Sequence, residues 1–341
     1  MDGSLKARRV VIQVTIGGHN ATDAIKPDLL DFTYTDNAKG KADEVSLTLA
    51  DPEGKWSGAW KPKKGTPVNA SLTALDWTGP GQHLTLPMGS FVVDKVSLSG
   101  PPDKVAIKAV SAFKTTGMSE EVNTKGWENV TLQEIAGEIA GKHGYSLMYD
   151  APEHRFKRVD QRDESDIAYL NRLCTERGVG FKVHDGKMVL YGAKEYDAKG
   201  PSLTIRKRED MFSPESYSFE ENAEGSFKSA ELAYHDPEAK ETYTGSVSAG
   251  GEAPSGQTLK LSPRTEQGIA EIRCAAELRK HNENADTANI TVMGCPGLVA
   301  GITVTMSGFG KYDGPYFVEK AEHKVGSGYT TSADLRRTLG Y

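Results

Sequence analysis

The chain has 341 residues, 41 basic against 47 acidic side chains for a net charge of −6, and an apolar fraction of 37% with 36 glycines. That length allows two or three domains with real cores, and the acidic balance argues against nucleic acid as a recognised partner. No apolar run approaches the ~20 residues a membrane span requires, and the start, MDGSLKARRVVIQV, lacks the apolar stretch of a secretion signal, so the expectation is a soluble product made in the cytoplasm without stable membrane insertion.

In chain order, Arg9 to Ile16 alternates as a first strand, closed by Gly17-Gly18-His19-Asn20. The stretch Phe32 to Glu53 reads as a strand, a glycine turn at Gly40, a returning strand and a proline stop at Pro52. Trp56 and Trp60 stand in a turn-rich segment and are expected to cap an apolar barrel end rather than bind sugar. Thr66 to Asp76, Phe91 to Ser99 and Lys104 to Phe113 supply three more strands. Five or six short antiparallel strands before residue 118 predict a small barrel or sandwich.

The pattern changes at Trp127. Thr131 precedes an apolar run with Glu134 three residues on, a capping box, and Val130 faces Ile135 as a hydrophobic staple. Leu132, Ile135, Ala136, Ile139 and Ala140 form one face, and Gly141 and Gly144 end the helix before a strand at 145–149. A second helix is capped by Ser165, with Asp166 in its first turn and Ile167, Leu170, Leu173 and Cys174 buried together, and it stops at Gly178. A hairpin from Phe181 to Tyr191 turns on Asp185-Gly186. The expectation is an α+β insert over residues 119–200, between β domains at 1–118 and 201–341.

In the last part, Tyr243 to Gln257 is Gly/Ser-rich and reads as a mobile loop, and Ser262-Pro263 as the opening of a helix to about residue 282 with Ile269, Ile272 and Ala276 on its buried side. Strands follow at Asn289, at Gly301 to Ser307 and at Tyr316 to Lys320, and Thr330 to Leu339 reads as a short helix beginning Ser332-Ala-Asp334.

Three echoes tie the two ends together. Phe32 to Glu53 returns 185 residues further on as Tyr217 to Glu238, with Asn37, Ala38, Gly40, Leu47, Asp51, Pro52 and Glu53 matched by Asn222, Ala223, Gly225, Leu232, Asp236, Pro237 and Glu238. Gly65 to Ser71 is matched by Gly301 to Ser307, and Gly89 to Lys95 by Gly314 to Lys320. Hairpins draw on few residue types and resemble one another, but that does not explain a conserved order, so an internally duplicated β domain is expected.

Catalytic patterns are weak. Ser111-Ala-Phe-Lys114 has a Ser-x-x-Lys spacing but ends a strand, with neither Ser-Asp-Asn nor Lys-Thr-Gly after it. Asp163, Glu164 and Asp166 could form a carboxylate cluster for glycoside hydrolysis, yet acids at a helix start serve capping and the helix dipole. The eight histidines contain no His-x-His or His-Glu-x-x-His. Cys174, Cys274 and Cys295 lack metal or redox spacing and read as buried thiols. Gly308 to Gly314 is a hairpin turn without the strand-to-helix context of a phosphate loop, and His323 reads as a structural histidine. The expectation is no catalytic residue, no cofactor and no metal.

The segment Gln161-x-x-Glu164-Ser165-Asp166-Ile-Ala-Tyr169-Leu170-Asn171-Arg172-Leu173, with Gly178 after it, resembles the late control gene D family of contractile phage tails. Gly294-x-Pro296-Gly297, Gly301-x-x-Val304, Gly314-Pro-Tyr316-x-Val318 with His323, and Thr330-Thr-Ser-x-Asp334-Leu335 resemble that family's C-terminal segment. The resemblance covers nearly the whole chain and implies a non-enzymatic baseplate hub, similar to the hub part of type VI secretion spike proteins, with two tail-tube-like β-barrels around an α+β insert comparable to LysM modules. It implies a virion location at the tail baseplate, with the tail spike, tail tube and baseplate proteins as partners. No needle segment follows Tyr341, so the spike is expected on another polypeptide. The alternative is a LysM-like cell-wall-binding module or a tail-associated peptidoglycan hydrolase. Two tube-like domains per chain lead to a homotrimer, a ring of six similar domains that closes its strand edges and lets DNA pass without recognising it.

Overall fold

The computed structural model describes residues 7–111, 117–208, 211–250, 256–263, 265 and 268–341. The first part comprises β1 (Arg9–Ile16), β2 (His19–Asn20), one helical turn α1 (Thr22–Ile25), β3 (Leu29–Asn37), β4 (Glu44–Ala50), β5 (Pro67–Leu75), the long β6 (Leu84–Ser99) and β7 (Lys104–Ser111). They pair antiparallel in the order β3-β4-β7-β6-β5-β1-β2. Alternation along each strand sends Phe32, Tyr34, Val45, Leu47, Leu49, Val68 and Leu72 into one buried core, each burial contributing on the order of 1.5–3 kcal/mol. Asp51 ends β4 by accepting from the backbone N–H groups of Trp56 and Ser57 at 2.8 and 2.9 Å. That bond folds Trp56 back into the core, where its indole donates to Asp28 at 2.7 Å. Trp60 stands edge-on to it at 5.5 Å and stays 52% exposed, so one tryptophan closes the core and the other covers it from outside.

The middle part comprises β8 (Val122–Thr131), α2 (Leu132–Lys142), β9 (Ser146–Asp150), β10 (Arg155–Ser165), α3 (Asp166–Glu176), β11 (Val179–His184), β12 (Lys187–Gly192) and α4 (Ala193–Asp197). The capping box is present: Thr131 N–H donates to Glu134 Oε2 at 2.8 Å, and Glu134 N–H donates to Thr131 Oγ1 at 3.1 Å. Ser165 caps α3 in the same way, accepting from Ala168 N–H. The apolar faces of α2 and α3 share a core with Phe181 and Leu190 of the β11–β12 hairpin, whose turn holds Asp185 at φ 47° and Gly186 at φ 71°. The paired ribbon of β8 and β10 has no counterpart in the sequence reading: VNTKGWENVT is largely polar and exposed, with Trp127 and Thr131 its buried residues.

The last part comprises β13 (Leu203–Arg206), β14 (Pro214–Glu221), β15 (Ser229–Asp236), β16 (Glu241–Ser248), β17 (Thr258–Leu261), α5 (Ala270–Asn282), β18 (Asp286–Met293), β19 (Thr303–Ser307), β20 (Gly314–Val325) and β21 (Tyr329–Arg337). Three expectations are corrected here. The C-terminal helix is the strand β21, because Tyr329, Thr331, Ala333 and Leu335 alternate inward at period two, a pattern that outweighs the cap-like Ser332. The loop expected at 243–257 begins as β16, paired along its length with β15; residues 251–255 lie outside the described residues. Helix α5 begins at Ala270, not at Pro263, with residues 264, 266 and 267 outside the described set. Its buried stripe includes Ala270, Cys274 and Leu278 against β15 and β16, while Ile272 is exposed and Ala276 alone keeps its expected place.

The strand registers of the two ends coincide. Tyr34 faces Val45 and Phe32 faces Leu47 across β3–β4, with a slip between Leu29 and Asp31; Phe219 faces Ala288 and Tyr217 faces Ile290 across β14–β18, with a slip between Pro214 and Ser216. Val45 faces Ala109 on β7, and Ala288 faces Leu335 on β21. Val68 faces Phe91 across β5–β6, and Val304 faces Tyr316 across β19–β20. Even the bulges agree, at Val93/Lys95 and at Val318/Lys320. Gly65 N–H donates to Val93 O at 2.8 Å and Gly301 N–H to Val318 O at 2.9 Å. The counterpart of β4 is therefore β18. Leu232, Asp236, Pro237 and Glu238 lie on or just after β15, in a separate sheet ordered β16-β15-β17, so Asp51 and Asp236 are not equivalent, whereas Gly40 and Gly225 both follow the matched strand at φ 70° and 77°. Between Glu221 and Asp286 the chain leaves the sheet to build β15–β17 and α5. Asn282 closes that excursion by accepting from Phe227 N–H and donating to Phe227 O, both at 2.8 Å.

Candidate functional site

The residues weighed above as catalytic alternatives are engaged in structural contacts. Glu164 is held by Arg172, Oε1 to Nη2 at 2.5 Å, and Asp163, at φ 47°, bonds Thr124. Asp166 is buried, which alone would raise its pKa; hydrogen bonds from Gln161, Lys142 and His143 outweigh that and hold it below the usual carboxylate range. The cleft beside them is lined by Arg158, Arg162, Arg172, Arg177 and Arg273 with Asp160 and Glu176, and Phe156 is the one aromatic ring in its lining. Ser111 is buried at the end of β7, and Ala112 to Lys114 lie outside the described residues. In the Gly308–Gly314 turn the Asp313 carboxylate accepts from the N–H groups of Gly308 and Phe309, occupying the donors that a phosphate would need. The three cysteines are buried thiols, and no cluster of three or more metal-ligating side chains occurs among the described residues.

What the fold does concentrate is joints. Strand β20 leaves β19 at Val318 and runs beside β3, from Lys320 opposite Asn37 to Val325 opposite Phe32, so the two ends share one sheet, of 13 strands among the described residues. His323 stacks on Tyr34 at 6.0 Å, wholly buried, with Nδ1 at 2.8 Å from the Tyr329 hydroxyl. Burial pushes its pKa down to about 4 against an opposing backbone contact from Leu298. Trp77 donates to Gly294 O at 2.6 Å across the same seam.

Two ionic joints fix the middle part, and neither was legible in the sequence. Lys182 reaches from β11 to Asp36 and Asp43, and His184 Nδ1 stands 2.8 Å from Asp43. Burial pushes Asp36 up, Lys182 opposes that and Asp43 adds to it; Lys182 stays charged against burial because the two carboxylates hold its proton. At the end of α4, Asp197 accepts both guanidinium nitrogens of Arg336 at 2.9 Å, Arg279 Nη1 at 2.6 Å and Leu339 N–H at 2.9 Å. One carboxylate thus ties α4, α5, β21 and the C-terminal residues. Distant sequence positions meet at both joints, and no local pattern marks them.

Strand pairing between β20 and β3 and the buried ion pairs at Lys182 and Asp197 thus hold distant parts of the chain together, and the acids at the start of α3 are engaged in structure. A family model described as phage tail baseplate hub (GPD) matches residues 109–329, and the chain belongs to that family. A "Probable baseplate hub protein" of Escherichia phage 186 is 27% identical over 203 residues, 58% of this chain and 49% of its own. One from Escherichia phage P2 is 28% identical over 201 residues, 56% and 49%. The chain thus spans about half the length of the curated relatives it matches. Among solved structures, the 43 kDa tail protein of prophage MuSo2 from Shewanella oneidensis shares the fold with a TM-score of 0.71 at 14% identity, over 96% of this chain and 98% of that one. A tail protein from Neisseria meningitidis MC58 does so with a TM-score of 0.71 at 13% identity, over 96% of each.

Proposed function

We propose that the chain is a structural hub in which three copies close a ring of six similar β domains, joining a six-fold tail tube to a three-fold spike in a contractile tail or related injection device. The observation that carries this is the repeated register: β3-β4-β7-β6-β5 and β14-β18-β21-β20-β19 match in facing residues and in bulges. One chain therefore offers two like units, at 1–118 and 201–341, and three chains offer six. The insert at 119–200 holds them at a set angle through Lys182 and Asp197, and its likeness to LysM modules is part of the proposal. The partners are the spike, tube and baseplate proteins; the chain is made in the host cytoplasm and works at the virion's baseplate. It has no catalytic activity of its own and lets DNA pass through its lumen. An arginine-lined cleft in place of an aromatic groove favours this reading over wall binding. Light scattering at micromolar concentration should give three times the chain mass of 36.9 kDa, and class averages a ring with six-fold modulation. A stable monomer throughout, with no trimer in assembled particles, refutes it.

A further inference from the structure

Inside the chain, the joint between like units is β20 of the second laid against β3 of the first. The register places β6 where β20 stands and β14 where β3 stands, so each chain carries one more copy of both halves of that joint. Both are open. From Lys95 to Ser99, β6 pairs with β7 along one edge, while β5 has left the other edge at the bulge after Val93 and nothing replaces it among the described residues. Among the described residues, strand β14 ends the large sheet, paired with β18 alone.

Exposure marks the same two edges. Phe32 and Tyr34 on β3 are 0% and 1% exposed, whereas their counterpart Tyr217 is 43% exposed and Phe219 half-buried. His323 on β20 is fully buried, whereas its counterpart Leu98 is 57% exposed. An apolar residue on an open edge invites association. Here the residue that would meet it is defined, because Leu98 falls opposite Phe219 as His323 falls opposite Tyr34.

We propose that β6 of one copy pairs antiparallel with β14 of the next, in the register Lys95–Asn222, Val96–Glu221, Ser97–Glu220, Leu98–Phe219 and Ser99–Ser218. This rests on the trimeric reading above and names its contact. Lys95 then lies diagonal to Glu220, and Leu98 packs on Phe219 and the aromatic cluster behind it, where Phe219 stacks on Tyr312 at 4.9 Å. The contact joins two different surfaces, so it propagates head to tail and closes as a ring.

The test is cysteine pairing in the full chain carrying both Ser99→Cys and Ser218→Cys. Directly opposed residues sit roughly 4.5–5.5 Å apart at Cα, within reach of a disulfide. Oxidation should give a reducible, covalently closed trimer, while either single variant stays uncross-linked through these positions. Leu98→Asp, at an exposed site, should weaken assembly on the order of ten- to a hundredfold without altering the monomer's unfolding. A trimer by light scattering that neither cross-links in this register nor responds to Leu98→Asp overturns this joint and leaves the ring standing. A monomer at every concentration overturns both.

Discussion

Replacing Asp197 by alanine tests whether one carboxylate orients the parts of this chain. Its side chain is 1% exposed, and those of Arg336 and Arg279 are 2% and 5% exposed. The substitution leaves two buried guanidinium groups short of their shared partner, and breaking a buried pair from one side costs about 3–5 kcal/mol. Arg336 keeps Glu319 at 3.3 Å and Arg279 keeps the carbonyls of Leu339 and Tyr341, so the lower end, about 3 kcal/mol, is expected. Urea denaturation followed by circular dichroism and fluorescence measures the loss. Adding Arg336→Met to Asp197→Ala should return part of it, since it removes one uncompensated charge. The pH dependence has a definite sign. Burial raises the Asp197 pKa, but Arg336, the Leu339 N–H and Arg279 lower it further, for a net downward shift. A depressed folded pKa gives stability that is complete above the unfolded value of about 3.9 and lost as pH falls through the folded one. The variant's deficit should therefore be flat from about pH 5 to 8 and shrink only below about pH 4. A deficit under about 1 kcal/mol, or one that fades between pH 7 and 5, refutes the assignment.

His323, with its pKa lowered from 6.5 to about 4, stays neutral in the fold while the unfolded chain takes up a proton, so stability should fall by roughly 3 kcal/mol as pH drops across that interval; His323→Phe should flatten this slope in parallel urea titrations. At Gly245 an added Cβ would stand 2.5 Å from the Ala270 carbonyl carbon and 2.6 Å from Glu271 N, so Gly245→Ala should lift α5 from β16 and cost about 1–3 kcal/mol, read as faster amide exchange in α5 with the 13-stranded sheet unchanged. Purified protein should leave peptidoglycan intact; clearing that disappears in Glu164→Gln would overturn the non-catalytic reading.

Much of the architecture was legible because it is local. The capping box at Thr131, the cap at Ser165 and the Asp185-Gly186 turn are each decided by residues within four positions of one another, and all appear as expected. The β8–β10 ribbon escaped because its residues are mostly exposed and carry no apolar alternation. The C-terminal strand was misread because Ser332 before Ala333 and Asp334 resembles a helix start, while its true signal lies in partners on β18 and β20. The ionic joints escaped for a stronger reason: Asp197 and Arg336 are 139 residues apart, and burial of their charges exists only once the parts are docked.

The repeated stretch separates what local similarity can and cannot fix. Its first half, through Asn222, Ala223 and Gly225, marks the true counterpart of β3 and the turn after it. Its second half matches just as well, yet β15 belongs to another sheet. The reason is visible at the two aspartates. Asp51 accepts from the N–H groups of Trp56 and Ser57, and Asp236 from those of Glu238 and Ala239, at 2.9 and 3.1 Å. Each binds backbone N–H groups beyond the end of a strand, five and six residues on at Asp51 and two and three residues on at Asp236, where the short span is an Asx turn. Like residues thus report like strand ends, whichever sheet the strand has joined. Only pairing separates the two cases: the slip between Pro214 and Ser216 repeats the slip between Leu29 and Asp31, and it does so against β18, whose DTANITVM shares with the EVSLTLA of β4 little beyond inward alternation. A sheet conserves its facing registers and bulges because shifting either by one residue turns a whole strand inside out. Side chains within the pattern are free to drift.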